Sequence, residues 1–366
     1  MATVANVVPM EATRISLDKQ ILIGFLITLA LLLFSDVAPL GAAELNPRPT
    51  EYEILRAFPT GRLAALSSND YPDAQGLTGT NHINGSWLEA GPQRGSCRGV
   101  IAAVVAGNLP LADQAWRGID VAFAHQLPDG GFEAEVRPNG ASAKAKGPAT
   151  ETAFFFLQEL GRMILVIRES PYEAHFHDRI AALEPKIRNA CAFITAGYDT
   201  IIANSSKAVN RIILAAKAFG TCGLVLHDDA LTATSRKLIA HALTLRDAEG
   251  VFIENGGRDS SYNVVSIFYG QVLALHLDIP EFEAALPAAM KWELSRIKET
   301  GEVDVMGNTR TGVGKEKSYT GQPKNVNYTE VVFALTYYGL VHHDPAALAA
   351  ADRVFAYAQK PKPAVK

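Results

Sequence analysis

Residues able to do chemistry gather in a few short stretches of this chain. GVFIENGGRDSSYNVV, residues 250–265, holds Glu254, Arg258, Asp259, Tyr262 and Asn263 within ten positions. A later stretch sets Arg310 ahead of Asn327 and Tyr328, and two earlier ones carry Trp87 with Glu89 and His125 with Glu133. A guanidinium forks onto both oxygens of a carboxylate. Once a uronate carboxylate is neutralised, by Arg, Asn or a protonated acid, negative charge can build on the carbon beside it. A Tyr or His can then take the C5 proton, and a second Tyr can protonate the leaving oxygen. The chemistry expected is therefore β-elimination on an acidic polysaccharide. Tyr262, Asn263, Tyr328 and His125 are the catalytic candidates; Arg258, Asp259, Glu254, Arg310, Asn327, Trp87 and Glu133 are the substrate-binding ones.

The same residues support other readings. A glycoside hydrolase needs two carboxyls about 5–9 Å apart, such as Glu254 or Asp259 opposite Glu133 or Asp304. A glycan-binding scaffold needs no reaction at all. Each residue also has a structural role open to it. Glutamates cap helices or pair with a neighbouring Arg. Trp87, Phe132 and Phe252 recur at one repeat position and could stack on sugars, but a packing wedge between repeats would recur in the same way. His125 falls where a helix-end residue would stand.

Those stretches sit between helices. After residue 50 the chain alternates apolar runs with polar, glycine-bearing connections and almost lacks strand-like alternation. The connections repeat a Gly-x-aromatic-x-Glu pattern in degenerate form, led by Gly85, Gly130, Gly197, Gly250 and Gly301, at gaps of 45, 67, 53 and 51 residues. Two helices and two connections need about that much chain. Inner helices, apolar on nearly all sides and so buried, are expected near 97–108, 150–168, 204–220, 261–277 and 326–342. Amphipathic outer helices are expected near 51–66, 111–126, 173–195, 229–246, 281–299 and 345–359. Hairpins placed side by side bring every inner-helix N-terminus to one mouth. There the unpaired N–H groups and loop arginines, Arg94, Arg98, Arg137, Arg258 and Arg310, would favour an anion.

The turn QLPDGGF, from Gln126, resembles the Gln…Asp-Gly-Gly-aromatic turn of α/α toroids such as terpenoid cyclases. The count of inner and outer helices resembles the incomplete α/α toroid of polysaccharide lyases, alginate lyases included. This covers about residues 50–360 in architecture and implies an all-α (α/α) toroid of about five helical hairpins. Motif content departs from those families. TNHING, from Thr80, lies in a loop rather than opening an inner helix, and the Asp-rich metal motifs of isoprenoid cyclases are missing.

The remaining features bound the setting. The chain has 366 residues, is 48% hydrophobic and carries a net charge of −4, with no basic block to suit a nucleic acid. Arg14 and Lys19 precede an apolar run over 21–34, followed by Asp36, Pro39 and the small residues Gly41, Ala42 and Ala43. That order reads as a signal peptide over residues 1–43, with an uncleaved anchor as the rival, and implies a periplasmic or secreted domain over 50–360. Residues 361–366 read as a flexible tail. Three cysteines exclude a disulfide-rich scaffold, and buried thiols are the expectation for Cys97 and Cys222. No metal-ligand spacing or cofactor motif is visible, and a monomer is expected.

Overall fold

The computed structural model describes residues 48–134, 149–312, 314, 316–317 and 323–360. The chain divides into two units, Met1–Pro49 and Thr50–Lys366. The expected signal peptide, the tail over 361–366, and Glu135 and Arg137 lie outside the described residues.

Within the second unit the described residues form fourteen α-helices and no strand. Ten of them make five hairpins, each a first helix packed on its successor. These are α4 (Arg94–Val105) with α5 (Leu109–Ala124), α6 (Ala149–Glu169) with α7 (Glu173–Ala196), and α9 (Val209–Leu226) with α10 (Asp229–Thr244). Then come α11 (Ser260–His276) with α12 (Pro280–Ser295), and α13 (Tyr328–Val341) with α14 (Pro345–Ala358). The first helices also pack on one another in order, α4 on α6, α6 on α9, α9 on α11 and α11 on α13. Apolar sequence dictates this: α9, VNRIILAAKAFGTCGLVL, is buried along nearly its whole length. Capping fixes the boundaries. Asp228, Asp259, Asn327 and Asp344 each accept a backbone N–H in the first turn of α10, α11, α13 and α14, which stabilises a helix by about 1 kcal/mol per cap.

Three glycine turns are one structure built three times. After α5, α10 and α12 the chain forms the bridges Gln126–Phe132, Arg246–Phe252 and Ile297–Val303. Each holds its glycine at positive φ, 91° at Gly130 and 84° at Gly250 and Gly301. At Gly130 and Gly301 an added Cβ would also strike the carbonyl of Asn189 or Arg353, on the second helix of the following hairpin. Phe132, Phe252 and Val303 are buried behind these turns, so the recurring aromatic is a wedge between hairpins. Burying a Phe contributes about 1.5–3 kcal/mol.

Two expected repeats lack that turn. Gly85 caps α3 (Gly79–Asn84), and Gly197 has φ −90° where α7 ends. Two expected helices also differ. Residues 51–66 make two short helices, α1 (Glu51–Arg56) and α2 (Arg62–Leu66), interrupted after Phe58 by Pro59. Helix α1 is no outer helix: it touches α4, α6, α11 and α13, because Glu51 is drawn to Arg162. The helix expected at 204–220 becomes α8 (Tyr198–Ser205) and α9. The break between them lets the Lys207 carbonyl accept from Asn255 N and Ala208 bridge Glu254. Cys97, Cys191 and Cys222 are buried free thiols.

Candidate functional site

All five first helices line one cavity of about 390 Å³. Helix α4 brings Arg94, α6 brings Phe155 and Gln158, and α9 brings Asn210, Arg211 and Leu214. Helix α11 contributes Ser261, Tyr262, Val265 and Tyr269, and α13 contributes Glu330 and its cap Asn327. The connection before α13 adds Arg310, Thr311, Lys324 and Asn325.

Cations dominate the lining: Arg94, Arg211, Arg310 and Lys324 against the single carboxylate Glu330, among the described residues. Arg310 is anchored from behind. Its guanidinium pairs with Glu254 and, through Nε, with Glu316 at 2.5 Å. Lys324 Nζ lies 2.9 Å from the other Glu316 oxygen, and these two cations hold the Glu316 carboxyl down at about 2. Arg310 and Lys324 stand over the Tyr262 ring, 4.2 and 5.0 Å from its centroid. Arg211 lies 3.4 Å from Glu151, and Arg94 donates to the Gly91 carbonyl over the Phe155 ring. Two buried polar atoms on the lining, Asn210 Oδ1 and Thr311 Oγ1, make no hydrogen bond among the described residues. Such atoms need a partner, and a ligand's polar groups or water would supply one.

The protonation states diverge. Burial holds the proton on Tyr262 and pushes it well above the usual phenol range, although Arg310 works against it. Burial, with Arg310 and Arg211 nearby, lowers Lys324. Burial raises Glu330, whose Oε1 accepts from Tyr269 Oη at 3.0 Å. Burial also pushes Glu254 up to about 7 against the pull of Arg310. Burial thus works against the charged form of both Lys324 and Tyr262, and the Lys324 Nζ stands 5.0 Å from the Tyr262 ring centroid.

Of the sequence candidates, Tyr262, Arg310 and Asn327 line the cavity, and Glu254 stands behind Arg310. The others have structural duties. Asp259 is fully buried at the cap of α11 and accepts from Ser261, Tyr262, Arg310 and Thr311 N–H groups. It thereby fastens the Arg310 loop to α11. Asn263 is buried too, bonded to the Phe252 backbone and to Glu293. Arg258 pairs with Asp247 and Glu249 over the Trp292 ring. Tyr328 accepts from Val303 N and packs against Tyr357. His125, Trp87 and Glu133 form a cluster of their own. The indole stacks on the imidazole at 4.1 Å, and Glu133 Oε2 lies 2.6 Å from His125 Nδ1. None of these seven, Arg258, Asp259, Asn263, Tyr328, His125, Trp87 and Glu133, lines the cavity.

Beneath the cavity lies a layer of charge that the apolar reading of the first helices misses. Lys217 Nζ bonds to Gln158 at 2.7 Å and to Glu159 at 2.9 Å; Arg162 bonds to Glu159, Glu51 and the Tyr337 hydroxyl. His276 bridges Glu51 at 2.8 Å and Glu169 at 3.2 Å. Three carboxylates meet three cations. Burial would raise Glu51 and Glu159, but Arg162 and Lys217 foremost hold each at about 2. Burial would lower His276, but its bonds to Glu169 and Glu51 hold it up at about 9. The signal was present in the sequence: charges inside AFFFLQELGRMILVI and LAAKAFG must be paired if those helices are buried. Lys324, in a connection, and Glu330, in the first turn of α13, carry no such mark, since spacing alone does not reveal which of these residues turn inward.

Among the described residues no group of three His, Cys, Asp or Glu is placed to hold a metal ion. Compared with known proteins, the chain matches no family model, no curated relative and no solved structure.

Proposed function

We propose that the five hairpins form an incomplete α/α toroid whose mouth binds an acidic polysaccharide outside the cytoplasm and cleaves it by β-elimination. The observation that carries this reading is the composition of the cavity: Arg94, Arg211, Arg310 and Lys324 against Glu330, around two polar atoms that lack a partner among the described residues. Arg211 and Arg94 would take the uronate carboxylate, with Asn210 and Thr311 on the sugar hydroxyls. Lys324, lowered by burial, would take the C5 proton, and Tyr262, still protonated, would give one to the leaving oxygen. Both groups stand within one small space, where orientation lowers the barrier further. The charged, apolar and small-residue order of residues 1–43 supports the location.

A panel of uronate polymers and neutral glycans tests the reading through the near-ultraviolet absorbance of the unsaturated product. An acidic polymer should raise that absorbance, and Tyr262→Phe should lower the rate at least about a hundredfold, the scale of a lost acid catalyst, while binding persists. Undiminished activity in Tyr262→Phe would remove the acid assignment. Hydrolysis is the second reading, favoured by Glu330, a carboxyl on the cavity wall that burial shifts upward. It would release reducing ends without the absorbance, and Glu330→Gln would abolish it.

A further inference from the structure

The cavity has a floor. Along α11 its lining runs from Ser261 and Tyr262 down to Tyr269, a descent of seven residues and so about 10 Å. There the Tyr269–Glu330 hydrogen bond and the Gln158–Lys217 hydrogen bond close the space. Directly below, Lys217, Glu159 and Arg162 are at most 2% exposed and bonded to one another, so nothing passes through.

At its upper rim the cavity does not end. Arg211 and Arg310 are shared with a second, open depression of about 480 Å³. Its remaining lining comes from the α8–α9 joint, with Asn204, Ser206 and Lys207, from Asn255 in the 250–259 loop, and from Glu316. The hydrogen bond from Asn255 N to the Lys207 carbonyl, 2.7 Å, fixes the two loops side by side. Arg211 and Arg310 therefore face both spaces, the closed one and the open one.

Resting on the reading of the cavity as an acidic-saccharide site, we infer that it is a chain-end site: the terminal sugar of an acidic oligosaccharide enters the blind cavity, and the following sugars lie outward past Arg211 and Arg310 along the groove of Asn204, Lys207 and Asn255. A closed floor cannot admit the middle of a polymer, because both flanking sugars would need an exit. The groove continuous with one end gives an exit on one side, among the described residues. Lys207 is exposed and carries a charge that a second or third uronate would meet. Its place in the groove also keeps it apart from the groups assigned to proton transfer.

Calorimetric titration of the full chain with oligogalacturonates and oligomannuronates of one to eight sugars tests this. Affinity should rise from the monosaccharide to about the trisaccharide and then level, and stoichiometry should stay at one protein per chain at every length. Lys207→Ala should weaken the tetrasaccharide about tenfold and leave the monosaccharide unchanged; Asn204→Ala should act in the same direction. Monosaccharide binding with no gain in length, several proteins on one long chain, or an equal loss on both ligands in Lys207→Ala would overturn the chain-end inference and leave the cavity reading intact. Absence of binding at every length would overturn both.

Discussion

Arg211 and Lys217 lie six residues apart on α9, and their surroundings differ completely. Lys217 is fully buried, held by Gln158 and Glu159, in a layer where three carboxylates meet three cations. Arg211 looks into the cavity, 3.4 Å from Glu151, among cations that outnumber the carboxylates. The two levels use the same helices and the same residue types. One level is internally satisfied and ties α1, α6, α9, α11 and α13 together. The other anchors its cations on Glu254, Glu316 and Glu151 but leaves two polar atoms, Asn210 Oδ1 and Thr311 Oγ1, short of partners among the described residues. A satisfied network holds a structure; an unsatisfied one, one helical turn or two higher, costs stability unless something binds it.

The comparison breaks most sharply at Arg162. Replacing it by Met removes the cation that Glu51 and Glu159 share, leaving two buried carboxylates short of a partner. Loss of about 3–5 kcal/mol in unfolding free energy is expected from removing one side of a buried pair. Denaturant unfolding measures it. A variant as stable as the parent would mean that the layer contributes nothing net.

His276 gives the next largest effect, through pH. Its folded value, about 9, lies above the ordinary 6.5, so the stability it contributes is complete below pH 6.5 and is lost as pH rises through 9. The slope is about 1.4 kcal/mol per pH unit, roughly 3 kcal/mol across the window. Glu293, buried and pushed up to about 8, adds a decline of the same sign, because the unfolded chain releases its proton from pH 4.5 upward. Lys217, lowered by burial to about 8, works the other way above that pH. From pH 6.5 to 8 the parent curve therefore carries the His276 and Glu293 declines together, and only the difference between variant and parent isolates His276. There, His276→Gln should flatten the stability curve by one proton; parallel curves for variant and parent would contradict the ion-pair role.

The hairpins were legible because their signals are local. Apolar runs such as VVSIFYGQVLALHL and the glycines at 130, 250 and 301 each announce themselves within a few residues, whereas Asp259 and Asn327, expected to bind substrate, both cap helices. Helix α1 misleads, since Glu51 finds Arg162 over a separation of 111 residues. The site was legible in part. Tyr262 and Asn327 stand at helix starts and line the cavity, as does Arg310 from the connection before α13, but Asn263 and Tyr328 also stand at helix starts and face Glu293 and Tyr357 instead. Adjacent positions on a helix point about 100° apart, so a neighbour can miss the cavity, as Asn263 does beside Tyr262. Which one misses depends on how each helix is rotated against its neighbours, and that is a tertiary fact.

Arg211 sharpens the contrast by the smallest margin in stability and the clearest in binding. Arg211→Ala removes one of several like charges around the cavity, so unfolding free energy should move by less than about 0.5 kcal/mol. A charge-assisted hydrogen bond to a ligand is worth about 1.5–3 kcal/mol, so affinity for an acidic oligosaccharide should fall roughly tenfold to a hundredfold. A neutral oligosaccharide of the same length has no carboxylate to lose and should bind as before. Equal losses on the two ligands would mean that Arg211 shapes the wall rather than meets the charge. A large loss of stability would place it with Lys217, and the division between the two levels of α9 would not hold.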